Sequence, residues 1–255
     1  MENEEKKFPT AIIDLPSKGL LYPEDSPLRS GKVEIKYPTA REEDILTNKT
    51  FINQGVAVIK FVESLLIDKK VKLDDMIVGD RNKIVYAARI LAYGSKYNTE
   101  IRCKYCKTAS NIEVDLNKFE DIEIDENLLK NSGNEFEFTL PNSKKIITYK
   151  ILNGHDEKMV DIISKKFQKK FKNSNELTNR LKAAILSVDG NEDKEFVNTF
   201  IDDMVSQDSL AFREEYKTIS PNIDTILAYE CEECGYEGEV QLPLDIGFFW
   251  PSAKL

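Results

Sequence analysis

The sequence predicts an α+β chain in which two cysteine-bearing β-hairpins are separated by an inserted hairpin and helical bundle and preceded by an N-terminal α+β segment. Two observations carry this reading. All four cysteines fall in two matched knuckles, Cys103-Lys-Tyr-Cys106 and Cys231-Glu-Glu-Cys234-Gly235, and each knuckle is flanked by strand-like alternation. Between them the apolar period changes from that of a strand to that of a helix.

A Cys-x-x-Cys turn aims two thiolates at one point, and two such turns supply four soft ligands with no position open for water. Cys103, Cys106, Cys231 and Cys234 are therefore candidate ligands of one structural zinc ion per chain. Ile101, Ile112, Val114 and Leu116 around the first knuckle, and Tyr229, Val240 and Leu242 around the second, make each half one hairpin of a zinc ribbon. Residues 107–230 lie between the halves, against the ~12 to 20 residues of a compact finger or ribbon, so the ribbon has to be split by an insertion. Two other readings stand beside zinc: four unrelated reduced thiols, or two redox dithiols. A thioredoxin-type motif opens a helix in a βαβ unit, whereas both knuckles here sit between strands.

In chain order, residues 1–27 read as an arm, charged and disordered over residues 1–7. Beyond these, Pro9, Pro16, Gly19, Pro23 and Pro27 predict an extended course, while Ile12, Ile13, Leu15, Leu20, Leu21 and Tyr22 predict packing on this chain or a partner. Residues 28–96 form the N-terminal α+β segment. It holds a strand over 32–37 with Val33, Ile35 and Tyr37 on one face, a capping box from Thr39 to Glu42, a helix around 56–67, and a helix from Asp80 as N-cap to a stop at Gly94. The ribbon halves span 97–118 and 226–244. The insertion, 119–225, opens with a hairpin over 135–152 around Pro141-Asn142-Ser143. Helices follow, marked by Met159, Ile162, Ile163 and Phe167, by Leu177, Leu181, Ala184 and Ile185, by Phe196, Val197, Phe200, Ile201 and Met204, and over 209–217. Residues 245–255 are an aromatic tail.

Composition narrows the chemistry. The chain is 41% hydrophobic with mean hydropathy −0.43, enough for a real core. Its most apolar stretch, Gly55–Ile67, is broken by Lys60 and Glu63, and the start lacks an apolar signal region, which predicts a soluble chain in a reducing compartment. Net charge −9 and an acidic second knuckle (Glu230, Glu232, Glu233, Glu237, Glu239) disfavour phosphate contacts. The basic run Lys165–Lys172 has Phe167 and Phe171 at helical spacing and reads as a solvated face over two buried rings. No P-loop, Gly-x-Gly-x-x-Gly, His-Glu-x-x-His or Gly-x-Ser-x-Gly pattern is present. The single histidine, His155, reads as a helix-entry residue, and adjacent carboxylate pairs point about 100° apart on a helix. No catalytic residue emerges and no small-molecule substrate, nucleic-acid or membrane partner is expected.

Several strings occur in an order that can be compared as a set: Leu15-Pro-Ser-Lys-Gly19, Tyr37-Pro-Thr-Ala-Arg-Glu-Glu-Asp-Ile-Leu46, Val78-Gly-Asp-Arg-Asn82, Ala87-Ala-Arg-Ile-Leu-Ala-Tyr-Gly94, the two knuckles, Asp208-Ser209 and Phe248-Phe-Trp-Pro251. From about Leu15 onward the chain resembles the baseplate hub assembly protein family of T-even-type contractile-tailed bacteriophages. The resemblance implies a non-enzymatic assembly factor, a chaperone or hub subunit, that binds tail hub or tape-measure proteins in the host cytoplasm, with the virion baseplate as a second location. Phe248, Phe249 and Trp250 are candidate partner contacts, because aromatics are enriched in interface hot spots; covering the chain's own core is the competing reading. Asp80 and Arg81 are likewise read either as a helix cap with a local ion pair or as a polar contact to a hub component. Two other function classes stay open, a zinc-ribbon nucleic-acid or transcription factor and a thiol oxidoreductase.

Overall fold

The computed structural model describes residues 9–128, 133–171, 175–242 and 246–249. The expectation for residues 1–7, and that for Trp250, lie outside the described residues, as does the side chain of Phe171.

Strand β1 (Thr10–Asp14) pairs antiparallel with β2 (Lys32–Lys36), Thr10 opposite Lys36 and Asp14 opposite Lys32. Val33 and Ile35 are buried, but Tyr37 falls past the strand end and is 39% exposed. The arm is thus a strand and a packed loop. Leu15, Leu21, Tyr22 and Leu28 are buried in the chain's own core. Glycine is required where the loop crosses itself: Gly19 (φ 78°) would place a Cβ 2.3 Å from the Arg29 carbonyl oxygen, and Gly31 (φ 68°) one 2.6 Å from the backbone of Lys18.

Three short helices follow, α1 (Ala40–Leu46), α2 (Lys49–Asn53) and α3 (Ala57–Leu65), then the long α4 (Val78–Tyr93). At the start of α1 the Glu42 carboxylate accepts from the Thr39 amide at 3.0 Å, as the capping pattern predicts, and the Thr39 hydroxyl donates to the same carboxylate at 2.5 Å. Helix α4 begins two residues before Asp80, which therefore is not its N-cap; the Asp80 carboxylate is engaged by the arm instead. Gly94 (φ 79°) ends the helix, its amide donating to Ile90 O at 2.8 Å.

Hairpin β3 (Lys96–Arg102) and β4 (Ala109–Asp115) leads through β5 (Asp121–Ile122) into the intervening segment. There β6 (Phe136–Thr139) and β7 (Ile146–Tyr149) precede α5 (Gly154–Phe171), α6 (Glu176–Ala184), β8 (Ile185–Val188), α7 (Lys194–Asp202) and α8 (Ser206–Ile219). β9 (Asn222–Ile223) returns beside β5, Asp121 opposite Ile223. Hairpin β10 (Ile226–Glu230) and β11 (Glu237–Gln241) then leads to the last turn of helix, α9 (Ile246–Phe249).

Two features depart from the sequence reading. Ile185 belongs to a strand that joins β7 and makes the inserted hairpin a three-stranded sheet, order β6-β7-β8. The helical stripe on α5 does not face the core: Met159 is 55% exposed and Ile162 and Ile163 are each 45% exposed, Phe167 is half-buried, and Val160 and Ser164 point inward. Contact with α6 sets this rotation, with Asn179 Nδ2 donating to Ser164 Oγ at 3.0 Å. The buried side chains form one apolar cluster running from Leu15 to Phe249, through the arm, α3, α4, the bases of both hairpins and the intervening segment.

Candidate metal centre

The alternation predicted around the knuckles is present. Tyr97, Ile101 and Val114 are buried on one face of β3–β4, with Thr99 opposite Ile112, and Leu227 pairs with Val240 on the inward face of β10–β11. Each knuckle is the turn of its hairpin, and the two turns share one hydrogen-bond pattern. Cys103 N donates to Thr108 O and Cys231 N to Tyr236 O, both at 2.9 Å. Four residues after each first cysteine the chain donates back, Lys107 N to Cys103 O at 3.0 Å and Gly235 N to Cys231 O at 2.8 Å. Both of those residues have positive φ, 65° and 66°. Gly235 adopts it freely; Lys107 does so at a cost of about 1 to 2 kcal/mol, and its ammonium bonds back to Lys104 O at 2.9 Å.

These turns bring the four sulfurs within 4.8 Å of one another, although the knuckles are far apart in sequence. Cys103 Sγ lies 3.8 Å from Cys234 Sγ and Cys106 Sγ 3.6 Å from Cys231 Sγ. A disulfide requires about 2.05 Å, whereas thiolates about 2.3 Å from a tetrahedral ion stand about 3.8 Å apart. The donor set and its separations therefore fit a thiophilic metal ion. Cys103 and Cys231 are buried and Cys106 and Cys234 exposed, so the cluster is closed on its inner side.

The electrostatics agree. The Thr108 hydroxyl and amide hold Cys106 down to about 6. For Cys103, burial opposes the thiolate but bonds from the Cys106 and Tyr105 amides outweigh it, and its pKa falls. Cys234 is pushed up to about 12: the Tyr236 amide favours its thiolate, but desolvation and the neighbouring sulfurs prevail. Four thiolates cannot share this space without a positive ion. Tyrosines frame the site, a contribution that ligand spacing did not reveal: Tyr105 (78% exposed) stacks on Tyr236 across the two knuckles at 6.4 Å, and the Lys104 amide meets the Tyr229 hydroxyl at 3.4 Å. The visible signal was an aromatic within or just after each knuckle.

Compared with protein families, the chain matches the T4 bacteriophage base plate protein family over residues 12–250. The chain belongs to that family. No curated protein and no solved structure matches it. A T4-type base plate protein is a phage virion component that binds other tail and baseplate proteins, and among the described residues no helix is long and apolar enough to cross a membrane.

In this base plate protein the strings singled out in the sequence meet one another. Asp80, fully buried, accepts from Ser17 N (3.0 Å), Ser17 Oγ (2.5 Å) and Tyr22 OH (2.6 Å), and the Tyr22 oxygen accepts from Ile77 N at 3.0 Å. Asp80 therefore binds the chain's own arm and is not available to a partner. Gly79 packs on the Pro221 carbonyl and Asn82 Nδ2 donates to Asn222 Oδ1 at 3.3 Å, so the start of α4 also grips the point where the intervening segment returns. Arg81 is half-buried beside the same helix start, in the field of Glu157 and Asp74. Asp208, buried, accepts from the Asn142 and Ser143 amides (2.7 and 2.9 Å) and holds the inserted hairpin's turn.

Phe248 and Phe249 are fully buried, which corrects their reading as partner contacts. Phe248 stacks on Tyr86 at 5.7 Å and Phe249 meets Phe61 edge-on at 5.1 Å. Arg89, itself fully buried, donates from Nε to Phe248 O at 2.8 Å and from Nη1 to Gly94 O at 2.9 Å, with its guanidinium 5.1 Å from the Tyr93 ring centre. His155 is the second residue of α5, its Nε2 3.0 Å from Asp75 Oδ1.

Proposed function

We propose that this chain is a baseplate hub assembly factor, a chaperone or hub subunit, that acts in the host cytoplasm by binding tail hub or tape-measure proteins and is not an enzyme. The observation that carries the reading is the family match over residues 12–250. We further propose that Cys103, Cys106, Cys231 and Cys234 hold one structural zinc ion. Four converging sulfurs at 3.6 to 3.8 Å across the two knuckles support this, and such a set leaves no coordination position for a substrate. The division into arm, N-terminal segment, split ribbon and insertion belongs to the same reading. Exposed Glu230, Glu232, Glu233, Glu237 and Glu239 on the second hairpin weigh against nucleic acid as the partner.

Co-expression with phage tail hub and tape-measure proteins, followed by pull-down through a tag on this chain, is the test. Retrieval of a hub or tape-measure protein is expected. Retrieval of no tail protein, together with DNA binding that falls steeply with salt, would replace this reading with the nucleic-acid one.

A further inference from the structure

Among the described residues strand β1 has an unpaired edge, and it lies beside a groove with an apolar strip. Leu15 N donates to Gly31 O and Tyr37 N to Pro9 O, which fixes the alternation of the β1–β2 ladder. Ala11 and Ile13 bond to β2, and the amides and carbonyls of Thr10, Ile12 and Asp14 point the other way. Among the described residues no strand pairs with that edge. The far edge of β2 is occupied, since Leu66 bridges Ile35 and Ile67 N donates to Glu34 O at 3.2 Å.

Alongside this edge runs a groove of about 390 Å³ with a mixed lining, an apolar strip of Ile12, Ile13, Ala87, Ile90, Leu91 and Phe119 bordered by Asp14, Asn117 and the Lys83–Asp121 ion pair. Ile12 is 66% exposed, and the strand carries no proline, no bulge and no lysine to blunt the edge, its one charge being Asp14 at the end.

We propose that this edge and groove receive an extended segment of a partner protein, which adds a strand to β1 and directs alternate apolar side chains onto α4. The backbone groups of Thr10, Ile12 and Asp14 require an extended chain as their complement, and Ala87, Ile90 and Leu91 require that every second side chain be apolar. A second copy fits less well. Pairing two five-residue strands edge to edge buries well under the roughly 1,200 Å² of a stable interface and leaves both grooves open. Residues 1–8 of this chain, Met-Glu-Asn-Glu-Glu-Lys-Lys-Phe, lack the alternating apolar residues that the strip of Ala87, Ile90 and Leu91 calls for.

The choice of probe rests on the assembly reading: 12-residue peptides tiling the hub and tape-measure proteins used in the co-expression, titrated by fluorescence polarisation against the full chain. At least one peptide with alternating apolar residues is expected to bind and to protect the Thr10, Ile12 and Asp14 amides from hydrogen exchange. Ile12→Pro removes one outward amide without touching the β2 ladder, and Leu91→Lys charges the groove floor. Each should weaken binding about tenfold with circular dichroism and melting temperature kept. The proposal is overturned if no peptide binds, if both folded variants bind as wild type, or if the three amides are already protected in the free chain. Protection that rises with protein concentration and is lost in Ile12→Pro would assign the edge to a second copy instead. If whole tail proteins are retrieved equally by wild type and Ile12→Pro, the edge proposal alone fails; if none is retrieved by wild type, the assembly reading fails.

Discussion

Asp80→Ala should be among the most damaging single substitutions away from the cysteines. The fully buried carboxylate accepts three hydrogen bonds, from Ser17 N, Ser17 Oγ and Tyr22 OH. Bonds to a charged acceptor contribute about 1.5 to 3 kcal/mol each, and burial of the charge offsets part of that sum. Truncation also strands three donors in a dry site, so the net loss should be about 3 to 5 kcal/mol. Ser17→Ala and Tyr22→Phe should each cost about 1 to 2 kcal/mol, and combined with Asp80→Ala they should add less than that, because the bond to the carboxylate is already gone and only those from Gly19 N to Ser17 Oγ and from Ile77 N to Tyr22 OH remain to be lost. The pH response carries a signature. Burial is the leading influence and holds the Asp80 carboxyl above its ordinary value of 3.8. A raised folded pKa contributes stability below the unfolded value that is lost as pH rises through the folded one. The gap between wild type and Asp80→Ala should therefore be widest in acid and narrow as pH rises. Urea unfolding followed by circular dichroism measures the global loss, and the rate of tryptic cleavage after Lys18 reports the arm. A loss under about 1 kcal/mol with unchanged cleavage at Lys18 would refute the arm lock.

Metal analysis of protein prepared under reducing, chelator-free conditions should find about one zinc per chain; none would remove the ribbon reading. Cys231→Ser should lower zinc content and melting temperature and expose both knuckles to protease, and full stability with zinc retained would contradict the coupling. Glu42, beside Lys36 Nζ at 2.6 Å, has its carboxyl at about 2 against an ordinary 4.5: burial opposes ionisation, but the Lys36 and Thr39 bonds prevail. Its contribution, at most about 3 kcal/mol, is present above pH 4.5 and lost as pH falls through about 2. The stability gap to Glu42→Gln should close across that window, and a constant gap would count against it. Gly79→Ala should destabilise by more than about 2 kcal/mol although alanine is the better helix former by about 1 kcal/mol, since its Cβ would fall 1.7 Å from Pro221 O; a gain in melting temperature would show that the contact is not as described.

Much of this was legible because it rests on short-range chemistry. The knuckles, the Thr39–Glu42 cap, the Gly94 stop and the alternation at Ile101 and Val114 are each set by a few neighbouring residues. What escaped depends on partners distant in sequence. The start of α4 was placed at Asp80 because aspartate is a good cap, but its oxygens are taken by Ser17 and Tyr22. Strand β8 was hidden because Ile185 continues the helical period of Leu181 and Ala184, and only pairing with β7 draws it into a sheet. The stripe on α5 shows the converse failure: Met159, Ile162 and Ile163 have the right spacing for a core face, yet the helix turns Val160 and Ser164 inward. The fate of the aromatic tail was open in the sequence, because an exposed hot spot and a core plug have the same composition.

The structure also narrows what the proposed metal ion would have to do. The two crossings between ribbon and intervening segment are tied without it: β5 pairs with β9, Lys83 Nζ meets Asp121 Oδ1 at 2.6 Å, Leu116 N donates to Ser95 O at 2.8 Å and Leu242 N to Thr225 O at 3.0 Å. Leu116 and Leu242 at the hairpin bases are buried in the common core. Farther out the support thins, and among the knuckle residues only Cys103 and Cys231 are buried. Loop closure therefore favours the metal less than the sequence separation suggests, because the long loop is already closed at its neck and the ion completes only the short remainder. Metal loss should fray both knuckles together, since each supplies half the ligands, while the arm lock at Asp80 and the inserted sheet persist. Hydrogen exchange after chelation separates the cases: loss of protection confined to residues 99–112 and 229–240 fits a tip clamp, whereas loss extending to β7 and α8 would make the ion the keystone of the whole chain.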